Sequence, residues 1–426
     1  MAVKRVLLIL ALSLLGGCSG EPESETVVFW AMGREGELVQ SFIPDFQRMN
    51  PGIRVQVQQI PWSAAHEKLL TAYAGDALPD VMQLGATWVP EFVALRAIAP
   101  LDDRLEPQVM ADVFPGLQDA SRLEGQLYGA PWYVDTRLLF YRKDILARSG
   151  VSEPPATWAA WRQAMVSIRD SVGAGSYPLL LPMNEWQVPV ILGLQAGADL
   201  LQDDDRHGHF RSPEFRRAFR FYLDLFRQGW APSLAEAQIS NPYHEFAQGR
   251  FAFFITGPWN IAEFTRRLPP DVQPLWDTAM MPGPEAGPGV SLAGGALLAL
   301  SRRSKHPAAA WQWIRFLLEP ERQAAFYRLA GDLPARRSAW DRPELVGAAH
   351  TAAFRRQLDQ ARGVPGVPEW ERIAARIVHY AERAVRGELS EEQALTALDE
   401  DVERILEKRR WLLDRQSGTG KASATP

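Results

Sequence analysis

Apolar and polar positions along the chain switch repeatedly between the period of a strand and the period of a helix. Residues 53–60 alternate apolar with polar side chains, which predicts a half-buried strand. Residues 37–49 carry apolar side chains three or four positions apart, which predicts a helix ended by the turn Asn50-Pro51-Gly52. The same criteria predict further strands at 27–31, 80–84, 179–181, 251–255 and 295–300, and further helices at 63–74, 158–171, 213–228 and 370–384.

The order of these elements predicts an α/β protein. Strand, helix, strand, helix, strand across residues 27–84 favours a parallel sheet with helices packed on it. At 426 residues the chain is too long for one ordinary core, so we expect two or three domains. Polar or aromatic side chains follow several predicted strands, among them Glu35, Thr87 and Trp259. Such strand ends are where α/β sheets bind ligands.

Composition narrows the class of protein. Hydrophobic residues make up 46% and charged residues 23% of the chain, which is typical of a soluble globular protein. The formal charge of −5 and the lack of a basic, aromatic-rich run argue against nucleic-acid binding. Fifteen tryptophans are many for this length. We expect most of them in a large core and some along a cleft, because flat apolar rings pack against sugars.

The pattern of the first residues predicts a secretory signal. Lys4-Arg5 precede an apolar stretch at 6–15, which is too short for a transmembrane helix. Leu15-Gly16-Gly17-Cys18 resembles the bacterial lipoprotein cleavage box, in which the cysteine becomes the acylated first residue. We therefore expect a signal peptide at 1–17, lipidation at Cys18 with a polar tether at 18–25, and a periplasmic, membrane-anchored lipoprotein. An ordinary cleaved signal with an incidental cysteine is the alternative.

Seven short motifs occur one after another along nearly all of the remaining chain. Each motif alone indicates only a turn. They are Asn50-Pro51-Gly52-Ile53, Leu78-Pro79-Asp80-Val81, Leu101-Asp102, Tyr128-Gly129-Ala130-Pro131-Trp132, Leu139-Phe140-Tyr141-Arg142-Lys143-Asp144, Gly249-Arg250-Phe251-Ala252 with Gly257-Pro258-Trp259, and Leu333-Pro334-Ala335-Arg336. In this order, behind a lipoprotein signal, they resemble the extracellular solute-binding proteins of carbohydrate ATP-binding-cassette importers, the maltose-binding-protein family.

The resemblance implies a two-lobed, type II periplasmic-binding-protein-like fold with discontinuous domains and a ligand cleft between the lobes. The chain is then expected to cross between lobes near 133–136, 290–294 and 333–337. Lobe 1 is expected to contain residues 26–134 and 292–334, and lobe 2 residues 135–291 and 335–414. Residues 415–426 are polar and are expected to form a disordered tail.

The implied function is capture of a di- or oligosaccharide and its delivery to the membrane permease of an ATP-binding-cassette importer. A maltose- or trehalose-like α-glucoside is favoured. The protein is expected to be a monomer and not an enzyme, with no cofactor, metal or nucleic-acid partner. Alternatives are a ligand-dependent envelope receptor or scaffold lipoprotein, and a glycosidase using Glu35 and Asp135, for which no acid/base motif stands out. The loop at 203–209 contains aspartates and histidines, which can bind metal ions, but its polar composition favours a solvent-exposed loop.

A sugar offers hydroxyl pairs at its edges and C–H patches on its faces, which suit bidentate polar side chains and aromatic rings respectively. The expected ligand-binding residues are Glu35, Gln83, Thr87, Trp88, Asp135, Trp259, Gly294, Gly295, Arg362 and Trp370, with Arg34, Trp62, Tyr133 and Trp186 as weaker candidates. Several have a structural alternative: Trp259 and Trp370 as core residues, and Glu35 as a helix N-terminal acid. Gly85 stands where several trehalose- and maltose-type relatives carry an aspartate, which bears on the identity of the sugar.

Overall fold

A computed structural model describes residues 24–171, 173 and 175–422. Its strands form a six-stranded sheet, a four-stranded sheet and two short hairpins. The strands are β1 (Glu25–Met32), β2 (Ile53–Ile60), β3 (Val81–Gly85), β4 (Arg122–Leu123), β5 (Gln126–Leu127), β6 (Ala130–Asp135), β7 (Leu138–Arg142), β8 (Tyr177–Leu180), β9 (Leu201–Gln202), β10 (His207–Gly208), β11 (Phe251–Thr256), β12 (Trp276–Ala279), β13 (Gly294–Leu300) and β14 (Leu333–Pro334).

Helices cover both large sheets. They are α1 (Gly33–Leu38), α2 (Ile43–Met49), α3 (Trp62–Ala74), α4 (Val89–Ala94), α5 (Pro107–Ala111), α6 (Pro115–Ala120), α7 (Lys143–Arg148), α8 (Trp158–Ser171), α9 (Gln187–Gln195), α10 (Pro213–Arg227), α11 (Pro242–Ala247), α12 (Trp259–Arg267), α13 (Pro307–Leu317), α14 (Pro320–Ala330), α15 (Ala352–Leu358), α16 (Trp370–Val385) and α17 (Glu391–Ala422).

The six-stranded sheet forms the first lobe, in the order β14-β6-β13-β3-β1-β2. Its strands β2, β1 and β3 are parallel, as the sequence predicts. The sheet as a whole is mixed, because β13 and β14 join it in the antiparallel direction. β13 runs antiparallel to its neighbours because it enters from the other lobe, at the edge where β3 and β6 end, and β14 begins at the same edge antiparallel to β6.

The four-stranded sheet forms the second lobe, in the order β12-β7-β11-β8. The chain passes between the sheets three times: from β6 into β7 through Thr136-Arg137, from β12 back into β13 through residues 280–293, and onward from β14. The lobe boundaries at 134/135, 291/292 and 334/335 remain predictions. Three passages at one edge create a hinged cleft between the lobes.

Two predicted elements differ from the structure. The helix expected at 37–49 begins at Gly33 and is interrupted by a 3-10 turn at Val39–Phe42 before α2. Pro44 explains the break, because its ring nitrogen cannot donate the next helical hydrogen bond. The tail expected to be disordered from 415 instead continues α17 to Ala422. Adding a residue to an existing helix gains a backbone hydrogen bond without requiring any packing.

Most of the bulky aromatic side chains are core residues, as the composition predicts. Trp132, Trp161, Trp276, Trp313 and Trp370 are all less than 2% exposed. Within the described ranges, no helix combines the length and apolarity needed to cross a membrane. The predicted signal, Cys18 and most of the tether lie outside the described residues.

Candidate functional site

The ends of several strands meet at the cleft. In the first lobe, β1, β3 and β6 all end at the edge where β13 begins. In the second lobe, β8 and β11 end at the edge where β7 begins, beside the same passages. The segments that follow these strands therefore face each other between the lobes, which is the usual position of a ligand site in α/β proteins.

Glu35 is held by a hydrogen-bonded network on the first lobe. It lies in the first turn of α1, directly after β1. Its Oε1 accepts hydrogen bonds from Tyr133 Oη at 3.0 Å and from Trp62 Nε1 at 3.2 Å. Gln83 orients the network, because its amide donates to Tyr133 Oη at 3.0 Å and accepts from Met32 N at 2.7 Å. Burial raises the pKa of Glu35, while these donors work against the rise.

Asp135 lies at the end of β6, at the first passage between the lobes. A Cβ built on its β13 neighbour Gly294 would approach Asp135 Oδ1 to 2.5 Å, so glycine makes room for the carboxylate there. Arg137 Nη1 lies 3.9 Å from Asp135 Oδ1. Burial raises the pKa of Asp135, and the positive charge of Arg137 only partly opposes the rise.

Two acids at the cleft were not among the predicted residues. Asp332 immediately precedes β14 and is 4% exposed. Its pKa lies well above the usual range, because of burial first and then the negative charges of Glu35 and Asp135. Burial also raises the pKa of Glu185, which Arg137 opposes. The sequence held a signal for both, since Asp332 adjoins the Leu333-Pro334 motif and Glu185 adjoins Trp186.

Trp259 and Trp62 present rings at the cleft that are not fully buried. Trp259 is the first residue of α12 and is half-buried, with the guanidinium of Arg137 4.6 Å from its ring centroid. A Cβ at Gly257 would come within 2.0 Å of that ring, so the turn before α12 needs glycine. On the first lobe, Trp62 is 38% exposed and meets Trp88 edge-on at 5.8 Å. Each lobe thus contributes a flat apolar face.

Side-chain pairs at the cleft join the lobes directly. Arg34 Nη1 of α1 lies 2.9 Å from Glu263 Oε1 of α12. Thr87 Oγ1, just after β3, donates a 2.6 Å hydrogen bond to Glu371 Oε1 of α16. Both pairs connect elements that adjoin the predicted ligand residues. Separating the lobes would therefore break contacts beside the site.

The other predicted ligand residues occupy different depths. Gln83 and Trp370 are 0% and 1% exposed, behind the cleft wall, and Trp88 is 9% exposed. Trp186 is partly exposed and packs edge-on against Trp370 at 5.5 Å. Gln83 orients Tyr133, and Trp370 supports Trp186, so both lie behind other predicted residues.

Two predicted residues belong to the hinge. Gly295 has a φ of +137°, and a Cβ there would meet the carbonyl oxygen of Tyr133 at 2.3 Å, so only glycine fits against β6. Arg362 pairs through its backbone with Ser291 and Ala293 in the second passage, while its side chain is exposed. Its guanidinium is therefore beside the hinge and open to solvent.

The loop with metal-ligand residue types is accounted for by other contacts. Asp203, Asp204 and Asp205 all have positive φ, as in a tight turn. His207 Nδ1 lies 3.0 Å from Glu403 Oε2 of α17. In the part of the chain that the structure describes, no group of three or more His, Cys, Asp or Glu is placed to hold a metal ion.

A second depression lies away from the cleft, beside the amino ends of β1 and β3. Its lining includes Thr26, Asp80, Arg303 and Ser304. Asp80 accepts hydrogen bonds from Val28 N at 2.9 Å and Ser304 Oγ at 2.6 Å. These contacts tie the sheet to the loop after β13, so the polar groups here have a structural role.

Known proteins resemble this chain over most of its length. The model of the bacterial extracellular solute-binding protein family matches residues 32–324. The chain is 47% identical to the sugar-binding protein MalE of Xanthomonas citri, with a TM-score of 0.86 over 91% of this chain and 99% of that one. A solute-binding protein from Thermotoga lettingae, bound with α-D-tagatose, is 26% identical, with a TM-score of 0.79 over 90% of this chain and 100% of that one.

A curated relative gives a third point of comparison. The diacetylchitobiose-binding protein DasA of Streptomyces coelicolor is 25% identical over 82% of this chain and 82% of its own length. Together with the two sheets and their three connections, the structural matches confirm the predicted two-lobed fold.

Proposed function

Because the chain belongs to the bacterial extracellular solute-binding proteins, we propose that it captures a neutral di- or oligosaccharide between its lobes for an ATP-binding-cassette importer. The observation that carries this proposal is the placement of the half-buried Trp259 ring beside Arg137, which in turn borders Asp135. An apolar face next to charged hydrogen-bonding groups is the combination that a sugar ring requires.

The energies of the two kinds of contact assign them different roles. Hydrogen bonds to charged groups contribute about 1.5–3 kcal/mol each. Stacking on an aromatic ring adds about 0.5–1.5 kcal/mol beyond the burial of its area. Glu35 and Asp135 therefore determine which hydroxyl arrangement is accepted, whereas Trp259 and Trp62 supply affinity that depends little on the identity of the sugar.

A maltose- or trehalose-like α-glucoside is the sugar that we propose. The similarity to a protein named MalE supports this choice. A relative bound with tagatose and another named for diacetylchitobiose indicate that ligands differ within the family. The family resemblance sets Gly85 where several trehalose- and maltose-type relatives carry an aspartate. The acids of the cleft are the part of the site that distinguishes these sugars, because an unmet buried polar group rejects the wrong epimer.

Thermal unfolding with a panel of sugars tests the proposal. A ligand that binds only the folded protein stabilises it by about 2.7 kcal/mol at a concentration one hundred times its Kd. We expect maltose or trehalose to raise the Tm clearly, and glucose to raise it less because one ring reaches fewer groups. A Trp411→Ala variant, which removes a 54% exposed ring outside the cleft, is expected to show the same shifts as wild type. No shift with any sugar would contradict the proposal.

The same cleft acids raise the question of hydrolysis. We propose that Glu35 and Asp135 bind the sugar without altering it, since Glu35 is already occupied by the donors Tyr133 and Trp62. Incubation with maltose followed by chromatography should return maltose intact. Release of glucose at a rate that Glu35→Gln abolishes would make the protein a glycosidase.

We also propose that the mature chain is anchored to the membrane through lipid on Cys18, in the periplasm. The support is the cleavage-box pattern at 15–18 and the lack of any other cysteine in the sequence. Mass spectrometry of the membrane-extracted protein should find an acylated N-terminal cysteine, and Cys18→Ser should move the protein to the soluble fraction. An unacylated, soluble wild type would contradict the anchor.

A further inference from the structure

Asp332 has an unusual position for a carboxylate. It is 4% exposed, and none of the described residues forms a hydrogen bond or ion pair with its side chain. A buried carboxylate normally has a charged or hydrogen-bonding partner, because transferring it out of water without one is costly. The position therefore calls either for a proton or for a donor that arrives from outside the protein.

Strand register places this carboxylate beside a second one. Leu333 pairs with Val134 and Pro334 with Tyr133 in the antiparallel ladder of β14 and β6. Continuing the register by one residue sets Asp332 opposite Asp135. Like charges at opposite positions on neighbouring strands destabilise a sheet. The fold thus keeps an unfavourable pair at the edge of the cleft.

The charged groups around Asp332 do not compensate for this pair. From α1, Glu35 adds a third negative charge and Arg34 a positive one, and from β6 come Asp135 and the phenol of Tyr133. On α12, Glu263 lies close to Arg34 and also pairs with Arg266 and Arg267. Arg34 is therefore shared with Glu263, and Arg137 lies beside Asp135 without forming an ion pair with Asp332.

We propose that Asp332 contacts the ligand directly, accepting hydrogen bonds from hydroxyls of the same sugar unit that Asp135 and Glu35 bind. This inference rests on the proposed sugar-binding function and names a residue of that site. Hydroxyl donors suit the position because a carboxylate has four acceptor sites and no donor. The ligand supplies the partners that the protein omits, which explains why an unpaired buried acid is kept at this edge.

Binding should then displace a proton. In the empty cleft, burial and the neighbouring acids favour the protonated form of Asp332. Hydroxyl donors favour the ionised form instead, so sugar binding lowers the pKa and releases the proton. The affinity for sugar should accordingly rise as the pH rises through the raised pKa of the empty protein.

The stability of the empty protein should show the opposite trend. A carboxyl group whose pKa is raised on folding destabilises the fold once the pH exceeds its unfolded value, about pH 4. Asp332→Asn removes that charge while keeping the shape of the side chain. The variant should therefore melt higher than wild type at pH 7.5, and the difference should vanish below about pH 3, where the acid is neutral in both states.

Calorimetric titration of wild type and Asp332→Asn with trehalose and with maltose tests the proposal. In two buffers of different ionisation enthalpy at pH 6, wild type should release protons on binding and Asp332→Asn should release fewer. We expect at least a tenfold loss of affinity in Asp332→Asn at pH 7.5, with an unchanged or raised Tm of the empty protein. The control Asp341→Asn removes a 75% exposed acid nearby and should bind within twofold of wild type.

Each outcome decides between distinct readings. Equal affinity and equal proton release in Asp332→Asn would overturn the proposal while leaving sugar binding intact. Loss of affinity together with a lower Tm of the empty variant would assign Asp332 a structural role and would also overturn it. A wild type that binds none of the sugars in the thermal panel would instead remove the proposed function on which the inference rests.

Discussion

The phenol of Tyr133 joins the buried sheet to the cleft: it donates a 3.0 Å hydrogen bond to Glu35 Oε1 and accepts one of 3.0 Å from the amide of Gln83. Gln83 is 0% exposed and is itself fixed by the backbone N–H of Met32. The position of Glu35 is thus determined by groups that lie behind the cleft wall. The Glu35 carboxylate is therefore already ordered in the empty protein, which reduces the entropy that would be lost when a sugar binds.

Tyr133→Phe tests this arrangement. Removing the hydroxyl should weaken sugar binding by roughly two- to tenfold, since one hydrogen bond contributes about 0.5–1.5 kcal/mol. The lost donor also held the pKa of Glu35 down, so that pKa should rise further and the pH dependence of Kd should move to higher pH. Titrations across pH measure both effects.

Tyr380→Phe is the matched control. It removes a phenol that likewise donates to a carboxylate, at 2.7 Å to Asp401 Oδ2, on the outer helices of the second lobe. It should leave the affinity and its pH profile unchanged. An equal loss in both variants would mean that the effect of Tyr133 acts through stability rather than through Glu35.

The ion pair between Arg34 and Glu263 should slow the release of sugar. Arg34→Ala removes the contact between lobes, and we expect a two- to fivefold faster dissociation, because partly exposed pairs contribute about 0.2–1 kcal/mol. The association rate should change little, and the difference should shrink in 1 M salt. Stopped-flow measurement of tryptophan fluorescence provides both rates.

Arg267→Ala offers a control on the same carboxylate. Arg267 pairs with Glu263 from within α12, so its loss leaves the lobes connected through Arg34. Dissociation in this variant should match that of wild type. If Arg267→Ala accelerates release as much as Arg34→Ala does, the charge of Glu263 matters rather than the contact between lobes.

The charge of the cleft should exclude acidic sugars. Glu35, Asp135, Asp332 and Glu185 all face the region, and burial raises the pKa of each. A uronic acid or phosphorylated disaccharide would bring another negative charge into this low-dielectric space. We expect at least a hundredfold weaker binding than for the neutral disaccharide of the same linkage, measured by competition. Comparable affinities would indicate that Arg137 and Arg362 dominate the site.

The elements of the fold that depend on local pattern could be predicted from the sequence. The strand at 53–60 and the helix at 158–171 occur with the predicted bounds, because their apolar spacing matches one element only. The antiparallel direction of β13 was not predicted, since it depends on where the chain re-enters the first lobe. Local periodicity contains no information about that choice.

The residues of the candidate site likewise differ in whether a local sequence pattern identifies them. Residues within recognisable motifs, such as Trp259, were predicted from the sequence, and that residue begins α12 with its ring half-buried beside Arg137. Asp332 was not predicted, although it precedes one of the motifs. Asp332 stands out because the adjoining strand β14 pairs with β6, about 200 residues earlier in the chain. Its side chain also lacks a partner among the described residues. Both are properties of tertiary structure.

Trp259→Ala asks whether the ring belongs to the ligand site or to the core. Trp259 is half-buried and covered on one side by Arg137, so truncation should change the Tm of the empty protein little. The affinity for sugar should fall at least tenfold, or about 1.4 kcal/mol. Fluorescence should also respond less to sugar than in wild type, because the indole that the closing lobes enclose is gone.

Two further tryptophan variants serve as references, one for a core ring and one for a surface ring. Trp276→Ala truncates a 0% exposed core ring and should lose about 3–5 kcal/mol of stability without acting on the site directly. Trp411→Ala truncates a 54% exposed ring and should alter neither property. If Trp259→Ala instead melts like Trp276→Ala while keeping its affinity, the ring is a core residue. The apolar face of the cleft would then have to be Trp62, whose indole N–H already holds Glu35.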